Sequence, residues 1–314
     1  MNVTYFSSGT AGGPLLASGK LDIIMSGDIN AGGYASSGVN FAIVMPEFQY
    51  GPTFYFGVAS SENITSPSQL VGKTIGVTFG GGTQLSAVNM LTHWGVNPSQ
   101  VKLVNLSPAQ ALPAYQAGTI DGFFEPSISN VVAFEQIKPT TILESNTQSY
   151  WPGKQGPVDL YSGYGVILAN GNTISNHACQ VEKFLTGLYE AGNWIANASN
   201  KQAFLTAESQ RTNTSTTILS ENYNGTLWNV QSFSSSFVNT VQSSADQSFQ
   251  LGLQPNQVNM TKFMDSTLYA KAVPSAVSVN ISYVGGSAAA PSSPVGLGLL
   301  MTSQLLINDR WINV

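Results

Sequence analysis

Charge is what this chain has least of. Eleven Lys and Arg and sixteen Asp and Glu among 314 residues make 9% charged, against about 25% in an ordinary soluble domain. The eleven cations form no cluster, which excludes the basic stripe a nucleic-acid interface needs, so no nucleic-acid partner is expected. Ser, Thr, Asn and Gln stand in their place. Such a surface changes little in charge as pH falls, which suits an acidic exterior; drift toward uncharged polar residues accounts for it as well. Cysteine is nearly absent. Cys179 stands alone, so there is no intrachain disulfide and no cysteine-based metal centre. It lies in helix-like sequence and reads as a buried packing residue rather than a nucleophile. The two histidines, His93 and His177, are far apart and read as surface or packing residues. No H-E-x-x-H, G-x-S-x-G or His/carboxylate metal spacing occurs. No metal, no cofactor and no catalytic set is therefore expected. Long apolar runs are missing too. The most apolar window, 295–307, is broken by Thr302, Ser303 and Gln304, short of the roughly 20 residues a membrane-spanning helix needs. No signal peptide is visible at Met1, and sequons such as Asn63-Ile64-Thr65 and Asn224-Gly225-Thr226 carry little weight in a chain so rich in Asn, Ser and Thr.

What is there is a segment of strong order, residues 71–126, VGKTIGVTFGGGTQLSAVNMLTHWGVNPSQVKLVNLSPAQALPAYQAGTIDGFFEP. Residues 74–78 alternate and are β-branched, a strand. Gly80, Gly81 and Gly82 allow a tight turn, and Thr83 is placed to cap a helix reaching Trp94. Gly95 ends it and Pro98 prevents its resumption. A second strand spans 101–106. Ser107, Pro108 and Gln110 form a capping-box start with proline at the first helical position. Pro113 bends that helix, Gly118 closes it, and a third strand covers 120–124. A β-α-β-α-β run of this length implies parallel strands with right-handed crossovers. Ligands of such sheets bind beyond the carboxyl ends of the strands, here at 80–84 and at Glu125–Pro126. Gly72-Lys73-Thr74 is no phosphate loop: Pro67 stands where the first glycine belongs, and the motif precedes its strand. Gly81, Gly82, Thr83 and Gln84 still offer backbone N–H groups and a positive helix end to an anion, with a plain tight turn as the alternative.

On either side the chain reads as further strands at 2–6, 21–25, 41–45, 54–59 and 164–168. Helices are expected at 14–18, 31–37, 176–197, 201–209 and 233–250. The polar stretch 60–68 and the strand at 164–168 are the expected crossings between two domains. Trp151, Pro152 and Gly153 suit an ordered aromatic loop. Trp151, Phe124 and Tyr164 are available as apolar walls of a pocket, though core packing is the usual fate of an aromatic. The tail reads as a strand at 277–284, a small-residue loop at 285–293, a helix at 294–307 and a strand at 309–314.

The central segment, with "LLASGKLDI" at 15–23, resembles the periplasmic solute-binding proteins of the nitrate/sulfonate/taurine and thiamine-precursor type. Their pattern is L-x-GK-x-(I/V)-(G/A)-V, a small-residue turn, then AL-x-A-x-x-x-G-x-(I/V)-D. "FLTGLYEAGNWIANASNKQAFL" (184–205) and "FMDSTLY" (263–269) resemble the family's return into its first domain. The resemblance implies an α/β, type II periplasmic-binding-protein-like fold, two doubly wound domains joined by a two-crossing hinge. One domain is 61–165; the other joins 1–60 to 166–314. It implies a binding protein rather than an enzyme, monomeric, outside the cytoplasmic membrane, delivering a small ligand to the membrane subunits of an ABC permease. Gly27 and Asp28 fall where the family faces its ligand, although Asp28 equally suits a helix cap. Glu125 follows three apolar residues at a ligand-facing strand end. The family's opening motif, strand, glycine-rich loop, helix and strand, resembles residues 277–314, so the order looks circularly permuted or cut from a tandem. Gly286 and Ser287 would then be ligand-facing donors. With two carboxylates in the pocket, the expected ligand has an acceptor-rich end and a donor or cationic end, as an amino-sulfonate or an aminopyrimidine has. Two alternatives stand beside this: an enzyme on the same fold, like the thiamine-pyrimidine synthases whose cysteine-rich motif is missing here, or the sensing domain of a receptor.

Overall fold

The computed structural model describes residues 2–4, 9–126, 128–212, 214–228, 231–285 and 311–313. In chain order its strands are β1 Asn2–Thr4, β2 Ile23–Gly27, β3 Phe41–Gln49, β4 Phe54–Ala59, β5 Thr74–Val77, β6 Lys102–Asn105, β7 Gly122–Pro126, β8 Thr140–Ser145, β9 Gln148–Ser149, β10 Gly156–Pro157, β11 Tyr164–Asn170 and β12 Trp311–Asn313. The helices are α1 Gly9–Ala17, α2 Asp28–Ser36, α3 Gly82–His93, α4 Pro108–Gln116, α5 Ile128–Ile137, α6 Gly171–Asn176, α7 Ala178–Ala196, α8 Lys201–Thr212, α9 Thr216–Gly225, α10 Ser235–Gln250 and α11 Thr267–Ala272. The strands form two sheets, β1-β12-β2-β11-β3 and β10-β9-β8-β4-β7-β5-β6.

The second sheet carries the central segment as its sequence dictates. β5 runs parallel to both β6 and β7, with Thr74 opposite Lys102 and Ile75 opposite Gly122. Both halves of the capping box at Ser107 and Gln110 are made. Gly95 and Gly118 adopt φ of 72° and 71°, left-handed values that a side chain would strain. Helices cover both faces. Phe56, Phe124 and Trp151 pack with Leu85 and Met90 of α3 on one, and Tyr55, Tyr115, Phe123 and Phe134 pack with α4 and α5 on the other. Trp151 and Phe124 are thus core residues. In the first sheet, β2, β3 and β11 pack on Val181 and Leu185 of α7 and on Phe237 and Val241 of α10.

Several expectations need correction. β4 pairs antiparallel with β7 and β8, so it belongs to the second sheet, and the chain first passes between sheets at residues 50–53 rather than near Ser60. The two crossings touch there, Tyr50 N donating to Gly163 O at 3.0 Å. Residues 277–284 form no strand. Their backbone groups bond instead to the side chains of Ser266 and Asp265, at 2.9 Å for Ile281 N and 3.3 Å for Tyr283 N, with a single bridge from Val277 to Phe233. The chain's ends do meet, but side by side: Asn2 lies opposite Asn313 in an antiparallel pair, where a permuted order predicts one continuous line. The helix expected at 294–307, and Gly286 and Ser287, lie outside the described residues. Cys179 is exposed, because the buried stripe of α7 runs through Val181 and Leu185 and leaves position 179 off it.

Candidate functional site

Three helices begin at one place. α2 reaches back to α1 through Tyr34, whose hydroxyl donates to Gly9 O. Ser26, near the end of β2, accepts from Asn30 Nδ2 at 3.0 Å. A Cβ on Gly81 would sit 3.0 Å from Asn30 Oδ1, and one on Gly80 would sit 3.4 Å from Thr10 Cγ2. The glycines that open α3 therefore lie against the starts of α1 and α2 from the opposite sheet. The first N–H groups of a helix lack intrahelical acceptors, and together with the aligned peptide dipoles they make an anion-attracting pole. Gly81, the residue capping α3, supplies no side chain to those groups. Asn30 is buried at 8% exposure, and its Oδ1 has no partner among the described residues. A half-turn of that carboxamide lets Ser26 donate to Oδ1 and turns the amide donors toward Gly81.

Beside this pole sits Asp28, fully buried. Its Oδ1 accepts from Ile29 N at 2.8 Å and from the Tyr161 hydroxyl, and its Oδ2 accepts from Ser244 Oγ at 3.1 Å. Burial pushes the carboxyl up to about 6, against the opposing pull of the Tyr161 and Ser244 hydrogen bonds. Tyr161 belongs to the second sheet's side, because Asn146 Nδ2 donates to its carbonyl at 2.9 Å and Asn89 Nδ2 to that of Leu160 at 2.6 Å. Its ring packs with Tyr50 and Phe54 at 5.8 and 5.7 Å, and a Cβ on Gly82 would come within 2.8 Å of it. The Asp28–Tyr161 bond thus joins the two sheets beside the start of α3. Two further carboxyls lie near the crossings, Glu125 fully buried and Glu47 half-buried with its Oε2 enclosed. Burial alone lifts Glu47 to about 7 and Glu125 well above the usual range. Among the described residues, Glu47 Oε2 and both oxygens of Glu125 have no partner, and no ion pair reaches Asp28, Glu47 or Glu125.

Alongside, an open groove of about 710 Å³ separates α10 from residues 159–162. Gln247 Nε2 spans it to Asn89 Oδ1 at 3.1 Å.

Gly27, Asp28, Gly81 and Gly82 come together as the sequence suggests. A Cβ on Gly27 would lie 3.2 Å from the Tyr50 hydroxyl. Thr83 is not the cap: its hydroxyl turns back to Thr78 O at 2.8 Å, and Gln84 Oε1 accepts from Gly80 N at 2.8 Å. Both side chains shape the loop. Tyr164 packs edge-on against Phe237 at 5.1 Å and lies near Asp28, whose charge raises the phenol's pKa after burial has done so. Glu125 sits opposite Tyr55. Side chains alternate along a strand, so it shares the Phe123 face, whereas Gly82 touches Phe54 on the other. Asn30, Tyr50, Tyr161 and Ser244 went unread in the sequence. Asn30 stands two residues beyond Asp28 and was within reach of the same reasoning; Tyr161 and Ser244 carry no local signal.

A family profile described as NMT1/THI5 like matches residues 7–201. The chain belongs to that family. It is 34% identical over 111 residues to the taurine-binding periplasmic protein of Escherichia coli K12. That alignment takes in 32% of this chain and only 33% of the relative's length. The alkanesulfonate-binding protein SsuA from Xanthomonas axonopodis pv. citri, bound to MOPS, superposes with a TM-score of 0.68 at 17% identity, over 83% of this chain and 86% of that one. A mutant of the desulfurization enzyme DSZB, in complex with biphenyl-2-sulfinic acid, does so with a TM-score of 0.57 at 11% identity, over 86% and 90%. At these identities the likeness is one of fold, the α/β periplasmic-binding-protein fold.

Proposed function

We propose that this chain is a solute-binding protein that works outside the cytoplasmic membrane as a monomer. It closes two lobes on a small organic molecule and presents it to the membrane subunits of an ABC importer. The lobes are the two sheets with their helices, hinged at residues 50–53 and 161–163. The observation that carries the reading is the meeting of three helix starts, from both sheets, on the buried carboxamide of Asn30. An acceptor-rich group such as a sulfonate or carboxylate suits that pole. The buried carboxyl of Asp28 suits a donor or cationic end, whereas Glu125 lies on the other face of its sheet. Gly27, Gly82, Thr83, Gln84 and Tyr164 frame the cleft. An amino-sulfonate fits both ends. Support comes from the taurine-binding relative and from the MOPS-bound neighbour, since taurine and MOPS each carry a sulfonate and an amine. An enzyme on the same fold is the weaker reading, because Asp28, Tyr161 and Ser244 are engaged with one another and the one cysteine is exposed on α7.

Thermal-shift screening followed by calorimetry tests this, with taurine, alkanesulfonates, nitrate, bicarbonate and aminopyrimidines as probes. A ligand at a hundred times its Kd stabilises the folded chain by about 2.7 kcal/mol. Asn30→Ala is expected to weaken every acceptor-bearing ligand by about tenfold or more, about 1.4 kcal/mol. Binding of sulfonates unaffected by that change, or no binding by any of the probes, would refute the assignment.

A further inference from the structure

We propose that Asp28 sets the charge class of the ligand: a net anion enters the cleft only with a proton, whereas a zwitterion enters as it is. The proposal rests on the anion pole described above and specifies what that pole accepts. Asp28 stands in the same first helical turn as Asn30. Its carboxyl cannot swing aside, because Ile29 N, Ser244 and Tyr161 hold both oxygens. Tyr161 in turn packs against the start of α3, so one side chain separates the carboxyl from the pole. Asp28 also takes up one of α2's own N-terminal N–H groups, which weakens that helix's contribution to holding a second anion.

No cation among the described residues compensates the charge. From the 159–163 segment Tyr161 faces Asp28, while Asp159 is turned to Ser162 Oγ at 2.6 Å. From β11 comes Tyr164, and from β3 and the first crossing come Glu47 and Tyr50. From α10 comes Ser244, while Asp246 is bonded to Gln242 and Gln257. α1 and the rest of α2 carry no ionisable group but Tyr34. The only titratable group of α3 is His93, exposed at its far end. Every group facing the carboxyl is a phenol, a hydroxyl or another acid. A like charge brought beside a buried carboxylate is tolerated when the carboxyl is protonated or when the newcomer carries its own cation.

The test is calorimetry with taurine and ethanesulfonate, which share the sulfonate and differ in the ammonium, from pH 5 to pH 8. Paired buffers of different ionisation enthalpy count the protons taken up. Ethanesulfonate is expected to lose at least tenfold in affinity across that range and to bind with proton uptake; taurine is expected to show a flat profile with none. Asp28→Asn, of the same shape, should flatten the ethanesulfonate profile and reduce taurine's advantage at pH 8. The wild-type proton count stands by itself if that variant fails to fold. Identical profiles for the two ligands, or a slope that survives Asp28→Asn, would overturn the role of Asp28 alone. Failure of both sulfonates to bind at any pH would instead remove the anion pole, and this proposal with it.

Discussion

Removing one oxygen, in Tyr161→Phe, probes the bond that joins the two sheets without disturbing what surrounds it. The ring keeps its contacts with Tyr50 and Phe54, and Asp28 keeps Ile29 N and Ser244. The loss is one hydroxyl donor to a buried carboxyl, and its size depends on the state of that carboxyl. A hydrogen bond to a charged group contributes about 1.5–3 kcal/mol, one between neutral groups about 0.5–1.5. Because burial raises Asp28 to about 6, the carboxyl is mostly ionised at pH 8 and mostly protonated at pH 5. The variant should therefore lose about 1.5–3 kcal/mol at pH 8 and roughly half as much at pH 5. For a chain of this size 1 kcal/mol corresponds to about 2 °C in Tm, so the expected shifts are about 3–6 °C and about 1–3 °C. Differential scanning calorimetry of both proteins at both pH values reads them directly. An equal loss at the two pH values, or a larger one at pH 5, would refute the charge state assigned to Asp28; no loss at either would remove the bond.

Two more changes follow from the same geometry. Asp28 and Glu47 hold protons in the folded chain that the unfolded chain has released between about pH 4 and pH 7, so their contribution is fully present below about pH 4 and is lost as pH rises through 6 and 7. At about 1.4 kcal/mol per pKa unit, Asp28 alone removes on the order of 3 kcal/mol, and urea unfolding should give a higher midpoint at pH 4.5 than at pH 8; a flat or opposite trend would count against it. Gly51→Ala places a methyl group on the Gly225 carbonyl at the end of α9, where backbone must shift, and is expected to cost about 1–3 kcal/mol; an unchanged Tm would show that α9 does not restrain the first crossing.

The central segment was legible because each joint carries its own local chemistry. Gly95 and Gly118 adopt positive φ, and Ser107 with Gln110 closes a capping box, features that depend on neighbours a few residues away. The assignment of β4 was not legible. Its apolar run reads as a strand in either sheet, and only its pairing with β7 and β8 decides. The tail misled for a related reason: alternation at 277–284 fits a strand, yet the side chains of Ser266 and Asp265 bond to its backbone first. Thr83 shows the limit of capping rules. A threonine after three glycines has two acceptable uses, and the carbonyl of Thr78, five residues back, wins over the helix start. Asp28 was singled out by the family resemblance, and Gly81 because ligands of such sheets bind at the turns beyond the strands' carboxyl ends. Tyr161 and Ser244 were missed because their partner, Asp28, lies 133 and 216 residues away.

The distribution of charge bears on function more than its scarcity does. Among the described residues, acids and bases pair on partly exposed side chains: Lys73 with Glu62, Arg211 with Glu208, Lys271 with Glu182. Such pairs contribute little, about 0–1 kcal/mol each. The buried carboxyls at the crossings receive no base among the described residues. Leaving an acid unpaired in the interior is costly, and none of the described cations is placed there. Two compensations remain, a proton and a cation that arrives from outside. Two unit charges about 6 Å apart repel by about 3 kcal/mol at an effective dielectric of 20, so at a separation of that order an ionised Asp28 would reduce binding of a sulfonate at the three helix starts about a hundredfold. An ammonium two carbons from the sulfonate cancels most of that repulsion; a plain alkanesulfonate cannot. Discrimination between zwitterion and anion therefore needs no arginine in the cleft, only a carboxyl that three hydrogen bonds keep from moving away.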